Sequence, residues 1–393
     1  MHRSMKLFLS LGLFVFSLFI SFKTFAGEGF RTHYSPAGAL TGEAAVVLND
    51  RPGFFGIMTG SFINTDQLND KEGNNAANQS VYIKSFPSIA TLFQNATGSN
   101  TLSVGQAFTQ SQRQVNLIGG YVSLDSYWGG KLIGAVNIPY ANVSRQVTAT
   151  VDPNQIAQLQ AYAVANPGIA ANVNNTIRAL TSQAASLAAS KSGNAEGLGD
   201  IQLTGAWSHF NGVNTKYVAS FSVTTPTGTF NENYPVNIGF GYYTFLPAMA
   251  VIYQEKEWTL AGRASYGYNT TNNSTSYKSG DFLAVELLGA YRMAAWANIG
   301  VNVIQFNQLT ADSFSGAVTS ISTTQSPGGL ASLLGTSVPI DDGQKTTFTA
   351  ISPFVVFPLP SVNSLLTFQY TFMPVAKDSI HANFMQARLT TRF

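Results

Sequence analysis

The chain has 393 residues, a net charge of +2, no cysteine, and only 10% charged residues beside 12% aromatic ones. Soluble proteins carry roughly 25% charged residues, while a bundle of membrane helices would need a mean hydropathy far above the +0.08 found here. Low charge without long apolar runs is what strands alternating between lipid and a wetter interior produce. The composition therefore predicts an all-β fold, a transmembrane antiparallel β-barrel.

In chain order, Arg3 and Lys6 precede an apolar core over residues 7–20, and Thr24-Phe25-Ala26 follows with small residues where a signal peptidase reads. This predicts a signal peptide over 1–26, its core being shorter than the ~20 residues of a helical span. Its loss removes Arg3, Lys6 and Lys23 and brings the net charge to −1, which favours neither nucleic acid nor a polybasic membrane patch. In an exported chain, the lack of cysteine excludes a disulfide framework and an N-terminal lipid anchor. Residues 27–52 are rich in glycine and alanine and read as a periplasmic or plug segment. The barrel is assigned to 53–393.

Residues 197–230 set the pattern. Ile201, Leu203, Gly205 and Trp207 alternate with Gln202, Thr204, Ala206 and Ser208, and after the turn GVNT the alternation resumes through Tyr217, Ala219, Phe221 and Val223. A period of two puts each set on one face of a sheet. Similar stretches occur at 53–65, 115–124, 131–145, 200–210, 216–230, 242–254, 258–268, 281–293, 296–309, 347–359, 364–374 and 382–393. About twelve strands result, an even number as single-chain bacterial barrels have. The connections alternate in length. DSYWGG, GVNT, EKE, AA and PSVN are short, whereas 66–114, 146–199 and 310–346 are long. Long loops on one rim and short turns on the other put both termini on the short-turn, periplasmic side.

Trp207, Trp258, Trp296, Tyr217 and Tyr253 lie beside the short turns, where amphipathic rings would form an interfacial girdle. The last strand alternates and ends on Phe393, a pattern that resembles the signal read by the outer-membrane barrel assembly machinery. Pro139, Pro247 and Pro353 fall inside strands and predict bulges or kinks. The apolar face also switches between Val303 and Ile304, which predicts another bulge. Residues 152–192 break the pattern. Asp152-Pro153 starts a helix and Asn166-Pro167-Gly168 ends it. A second helix carries the stripe Ile169, Val173, Ile177, Leu180, Ala184 and Leu187. This helical hairpin is inserted in a long extracellular loop, as a gate in the mouth (Ile169, Val173, Ile177, Leu180, Leu187) or as a cap on the rim.

The candidate lumen-lining residues are Gln202, Thr204, Ser220, Ser222, Arg263, Glu286, Arg292, Asn298, Asn302, Gln369 and Arg388, with Thr367 and Gln386 beside them and Arg263 paired to Glu286 on the next strand. So few charges do not make the charged ring of an ion-selective pore. A neutral wall suits small hydrophobic or aromatic solutes. Residues for catalysis, a metal or a cofactor do not assemble. His33, His209 and His381 stand apart, and Ser208 and His209 are adjacent and so face opposite ways.

The run GLGDIQLTGAWSHF, then TTPTGTF, NIGFGYYTFLPAMAVIY, WTLAGRASYGYNTTNNSTSYKSGDFLAVELLGAYRM and WANIGVNVIQFNQLTAD, resembles the outer-membrane family named after the MetA (meta) pathway of phenol degradation. The resemblance covers 197–312 and, more loosely, 346–393. It implies an outer-membrane channel for uptake of hydrophobic or aromatic compounds, with outer-membrane lipids, the assembly machinery and the solute as partners. The alternative is a structural or adhesive barrel with a closed lumen and partner-binding loops.

Overall fold

In the computed structural model the described residues are 39–40, 51–69, 72–75, 78–82, 87–232, 234–314 and 345–393. The expected signal peptide and most of 27–52 lie outside them. The strands are β1 (Gly53–Asn69), β2 (Asn78–Tyr82), β3 (Thr101–Val122), β4 (Lys131–Val151), β5 (Gly193–Leu198), β6 (Gln202–Asn211), β7 (Thr215–Thr224), β8 (Thr244–Glu255), β9 (Trp258–Asn269), β10 (Tyr277–Lys278), β11 (Phe282–Ala294), β12 (Ala297–Gln308), β13 (Ser313–Phe314), β14 (Thr347–Leu359), β15 (Ser364–Lys377) and β16 (Ser379–Arg392). Among the described residues three α-helices join them: α1 (Pro87–Thr97), α2 (Pro153–Ala165) and α3 (Ala170–Lys191).

Twelve strands form the wall in the order β3-β1-β16-β15-β14-β12-β11-β9-β8-β7-β6-β4, and β3 pairs back onto β4. The sheet is a closed antiparallel barrel. Its alternation is plain on β4. Leu132, Val136, Ile138 and Tyr140 are exposed outward, and Ala141, Val143 and Arg145 are buried inward. Outward rings mark both ends of the apolar band. Tyr217, Tyr253, Trp258 and Trp296 stand at the short-turn end, and Tyr140, Tyr266, Tyr268 and Tyr370 at the loop end. Polar partners wait at the loop-end ring, where the Tyr266 hydroxyl donates to Asp281 at 2.9 Å and the Lys278 ammonium lies 4.7 Å from the Tyr268 ring centre.

β3 and β4 run for 22 and 21 residues, twice the 10 residues of β6 and β7. At ~3.3 Å per residue they far outreach an apolar band about 25 Å tall, so they rise from the rim as a two-stranded tower. The helices cover the tower's inward face. The Asp152 carboxylate caps α2 by accepting from the Asn154 N–H at 2.8 Å, with proline next in the chain. Phe93 of α1, Leu159 of α2, and Val173 and Leu180 of α3 are buried against Leu102, Val104 and Val151 of the tower.

Several expectations need correction. β3 starts at Thr101 rather than 115, and the loop before it contains α1, whose Ile89, Leu92, Phe93 and Ala96 have helical spacing after Pro87. β7 ends at Thr224 rather than 230, because Pro226 offers no ladder N–H and the chain turns into a knot around Asp200. One of the three expected proline bulges is present. Pro139 is in register with Asn116 on β3, but on its other side the pairing moves by one residue between Asn137 with Gln202 and Tyr140 with Leu198. Pro247 and Pro353 each keep one paired neighbour, Phe221 and Val301, without a shift. Other register shifts fall at Thr65/Gln67, Arg292/Ala294 and Thr349/Ile351. Between Val303 and Ile304 the pairing is also unbroken. The apolar switch there reports a change in what the lumen contains.

The Asp200 knot holds the loop between β7 and β8. Its two carboxylate oxygens accept from the Gly228 and Phe240 N–H groups, each at 2.7 Å, and the residue is 6% exposed. Asp200→Ala leaves two part-buried donors without this acceptor, at no more than about 1–3 kcal/mol each. The variant should still close its barrel but lose its heat-resistant folded band on gel electrophoresis at a lower temperature than the parent. An unchanged transition would show that the knot contributes nothing to stability.

Candidate functional site in the barrel lumen

Alternation assigns one residue in two to the interior, and the interior is layered. Nearest the loops it is apolar. Phe108, Phe282, Phe306, Phe348, Met373 and Phe384 are buried in one cluster with Ile304 and Ile380, and Phe306 stacks on Phe348 with ring centres 4.8 Å apart. These residues come from β3, β11, β12, β14, β15 and β16, one arc of the wall, so the cluster narrows that side of the upper lumen with rings. The sequence reading overlooked it, although Phe282 shares the parity of Glu286, and Phe384 that of Gln386 and Arg388.

The next layer is polar. Arg263 on β9 and Glu286 on β11 are cross-strand partners, and an Arg263 guanidinium nitrogen donates to the Glu286 carboxylate at 2.7 Å. Glu286 is fully buried. Its other oxygen accepts from the backbone N–H groups of Ala39 and Leu40, both at 2.8 Å, while Asn302 donates to the Leu40 carbonyl at 2.9 Å. A buried carboxylate needs such partners, because an unpaired one is very costly in a medium of low dielectric constant. The Leu40 side chain then fits among Ile252, Ala261, Leu288, Ala290, Phe354 and Val356. A piece of the N-terminal segment is thus gripped inside the lumen by two of the residues singled out from sequence, Glu286 and Asn302, with Arg263 paired to the first.

The other candidates hold the wall together. Thr204 and Ser222 hydroxyls meet at 2.9 Å, and Gln202 donates to Thr224 at 3.4 Å. Gln386 donates to Ser61 at 3.1 Å, and Arg388 to Thr59 at 3.2 Å. Ser220, Asn298, Thr367 and Gln369 also lie on the inward parity, the last three buried. Arg292 keeps the inward parity, opposite Asn298. It is exposed at the short-turn rim beside the register shift at Ala294, its N–H bonded to the Glu257 carbonyl.

Of the proposed gate residues, Val173 and Leu180 are buried and Ile177 partly so, against α1, α2 and the tower. Ile169 is 36% exposed, and the Leu187 side chain lies outside the described set. The stripe is therefore covered by the hairpin's own support. At the foot of α3, burial and then the charge of Arg145 pull the Lys191 ammonium down to about 8, while Arg145 donates to Gln110 and to the Pro235 carbonyl, both at 2.9 Å. Among the described residues no three His, Cys, Asp or Glu side chains gather as metal ligands, and no helix is long and apolar enough to cross a membrane.

Among curated proteins, no sequence matches the chain. Among solved structures, the outer-membrane channel COG4313 from Pseudomonas putida F1 aligns with a TM-score of 0.55 at 13% identity, over 88% of this chain and 100% of that one. A Pseudomonas aeruginosa FadL homologue aligns at 0.40 and 10% identity, over 94% and 96% of the two chains. The P. putida toluene transporter TodX aligns at 0.38 and 8%, over 93% and 98%. The first of these similarities shows a shared outer-membrane barrel fold. Residues 65–337, well over half of the sequence, match the family model described as "Putative MetA-pathway of phenol degradation", and the chain belongs to that family.

Proposed function

We propose that the protein is a passive outer-membrane channel for small hydrophobic or aromatic compounds. The observation that carries this reading is the cluster of phenylalanines at the loop end of the lumen, set over a wall that is polar but almost uncharged. Such a mouth favours an apolar solute over an ion, because it offers dispersion contacts and no group to replace a hydration shell. Family membership agrees, since the matching family is described by the degradation of phenol, a small aromatic compound. The segment through Leu40 acts as an internal plug held by Glu286 and Asn302. The helical hairpin works as a fixed shield beside the mouth rather than a hinged gate. Support for this comes from its stripe, since swinging it away would expose Val173 and Leu180 at about 1.5–3 kcal/mol each. A closed adhesive barrel is the second reading, and the Leu40 latch is the observation that favours it.

Proteoliposome uptake separates the two readings. The parent should admit a small aromatic solute faster than a sugar of similar size, and a closed barrel would admit neither. Phe306→Ala, at about 3–5 kcal/mol a tolerable loss only if the barrel is stable, should lower the aromatic-to-sugar ratio severalfold in preparations checked for folding. An unchanged ratio would remove the phenylalanine cluster from the mechanism. Glu286→Gln leaves Arg263 without its carboxylate and weakens the latch on Leu40. It should raise the single-channel open probability in planar bilayers, and no change would discard the plug.

The orientation we propose places both termini and the short turns in the periplasm. Because the chain lacks cysteine, single cysteines report it directly. Val164, 81% exposed at the end of α2, should label on intact cells with an impermeant maleimide. Val213, 87% exposed in the GVNT turn, should label only after lysis. The reverse pattern would invert the topology.

A further inference from the structure

The outer wall is not convex all the way round. Across β14, β15, β16, β1, β3 and β4 it turns inward and forms a groove of about 960 Å³ on the lipid-facing surface. Small residues make its floor. Gly60 of β1 pairs with Ala387 of β16, and a Cβ added to Gly60 would find nothing within 4 Å. Its flanks are apolar, with Val115 and Tyr140 on one side and Phe368 and Tyr370 on the other, each 42–46% exposed.

One cation stands in this lining. Arg113 of β3 sits between Phe62 and Asn142 in the cross-strand register and faces outward. It lies nine residues from the β3 end at Val122. That is about 23 Å up the barrel axis at ~3.3 Å per residue and a tilt of roughly 40°. An apolar band is about 25 Å tall, so the guanidinium lies at headgroup level on the long-loop side, next to the Tyr140 ring. Among the described residues it has no hydrogen-bond or ion-pair partner. The nearby carboxylate of Glu196 is already engaged by Tyr140 at 2.5 Å and Asn142 at 3.0 Å.

We propose that this groove is a binding site for one phosphate-bearing membrane lipid, with its acyl chains on the Gly60–Ala387 floor and its phosphate on Arg113. The chemistry is complementary at both ends. A guanidinium matches a phosphate with two parallel donors, and the concavity below it offers apolar contact that a flat wall would not. The lipid would fill a wall that side chains leave hollow. Placing it in the outer leaflet rests on the orientation proposed above, whereas the binding itself does not.

The test uses the full-length protein, purified in a neutral detergent and titrated with phosphatidylglycerol while native mass spectrometry counts adducts. One lipid should bind to the parent. Diacylglycerol with the same chains should bind about tenfold more weakly, as should phosphatidylglycerol to Arg113→Gln. Glycerol phosphate, which has no chains, should not bind. Gly60→Leu fills the floor without a clash and should abolish the adduct, while Gly205→Leu, also unobstructed and outward on β6, should behave as the parent. Equal binding by parent, Arg113→Gln and Gly60→Leu would overturn the proposal. So would a dimer of the protein that Gly60→Leu dissociates, since the groove would then hold a second copy. Detergent removes any dependence on topology, so a failed titration and a reversed cysteine pattern are separate results.

Discussion

In hydrocarbon no water can satisfy a backbone N–H or C=O, and each one left open costs several kcal/mol. This constraint governs the whole chain. It forces the twelve wall strands to close, with β3 returning to β4, and it forbids an edge. It also explains why, among the described residues of the wall itself, irregular structure appears past the ends of the apolar band, where the Asp200 knot, the β10–β13 pair and the tower replace ladder bonds with local ones. Even the prolines obey it. Pro247 and Pro353 each forgo a pairing on one side only, and the wall does not open.

Closure fixes the outside but leaves the inside to side chains, and there two needs compete. A twelve-strand barrel is wider than one of about eight strands, whose interior side chains fill, so something must occupy or narrow it. The chain uses apolar rings near the loops and a polar layer below. The buried Arg263–Glu286 pair alone would be poor compensation for desolvating two charges. The backbone donors of Ala39 and Leu40 complete it, which binds the stability of that layer to the presence of the N-terminal segment. Wall chemistry and plugging are therefore one arrangement.

The tower shows the same economy outside the membrane. A long hairpin standing alone in water would expose one apolar face, and α1, α2 and α3 exist to cover it. Their burial against Leu102, Val104 and Val151 makes a small helical core on the inward face of the tower.

How much of this was legible in the sequence follows from the range of each signal. The period of two, the alternating loop lengths and the Asp152-Pro153 and Asn166-Pro167-Gly168 boundaries are local. They yielded the strand number, the inward parity of Gln202, Thr204, Arg263, Glu286, Asn302 and Arg388, and the helical hairpin. The reading failed where one face changes partners along a single strand. Ile304 and Phe306 look like a register slip when the lumen is assumed polar throughout, yet they join a phenylalanine layer contributed by strands far apart in the chain. Arg292 has the inward parity but lies at a rim whose height only the register shift reveals. The grip on Leu40 joins residues 246 and 247 positions apart, and the concave wall over Gly60 needs six strands at once. Alternation tells which way a side chain points. What it meets there depends on closure, and closure is decided by the tertiary structure.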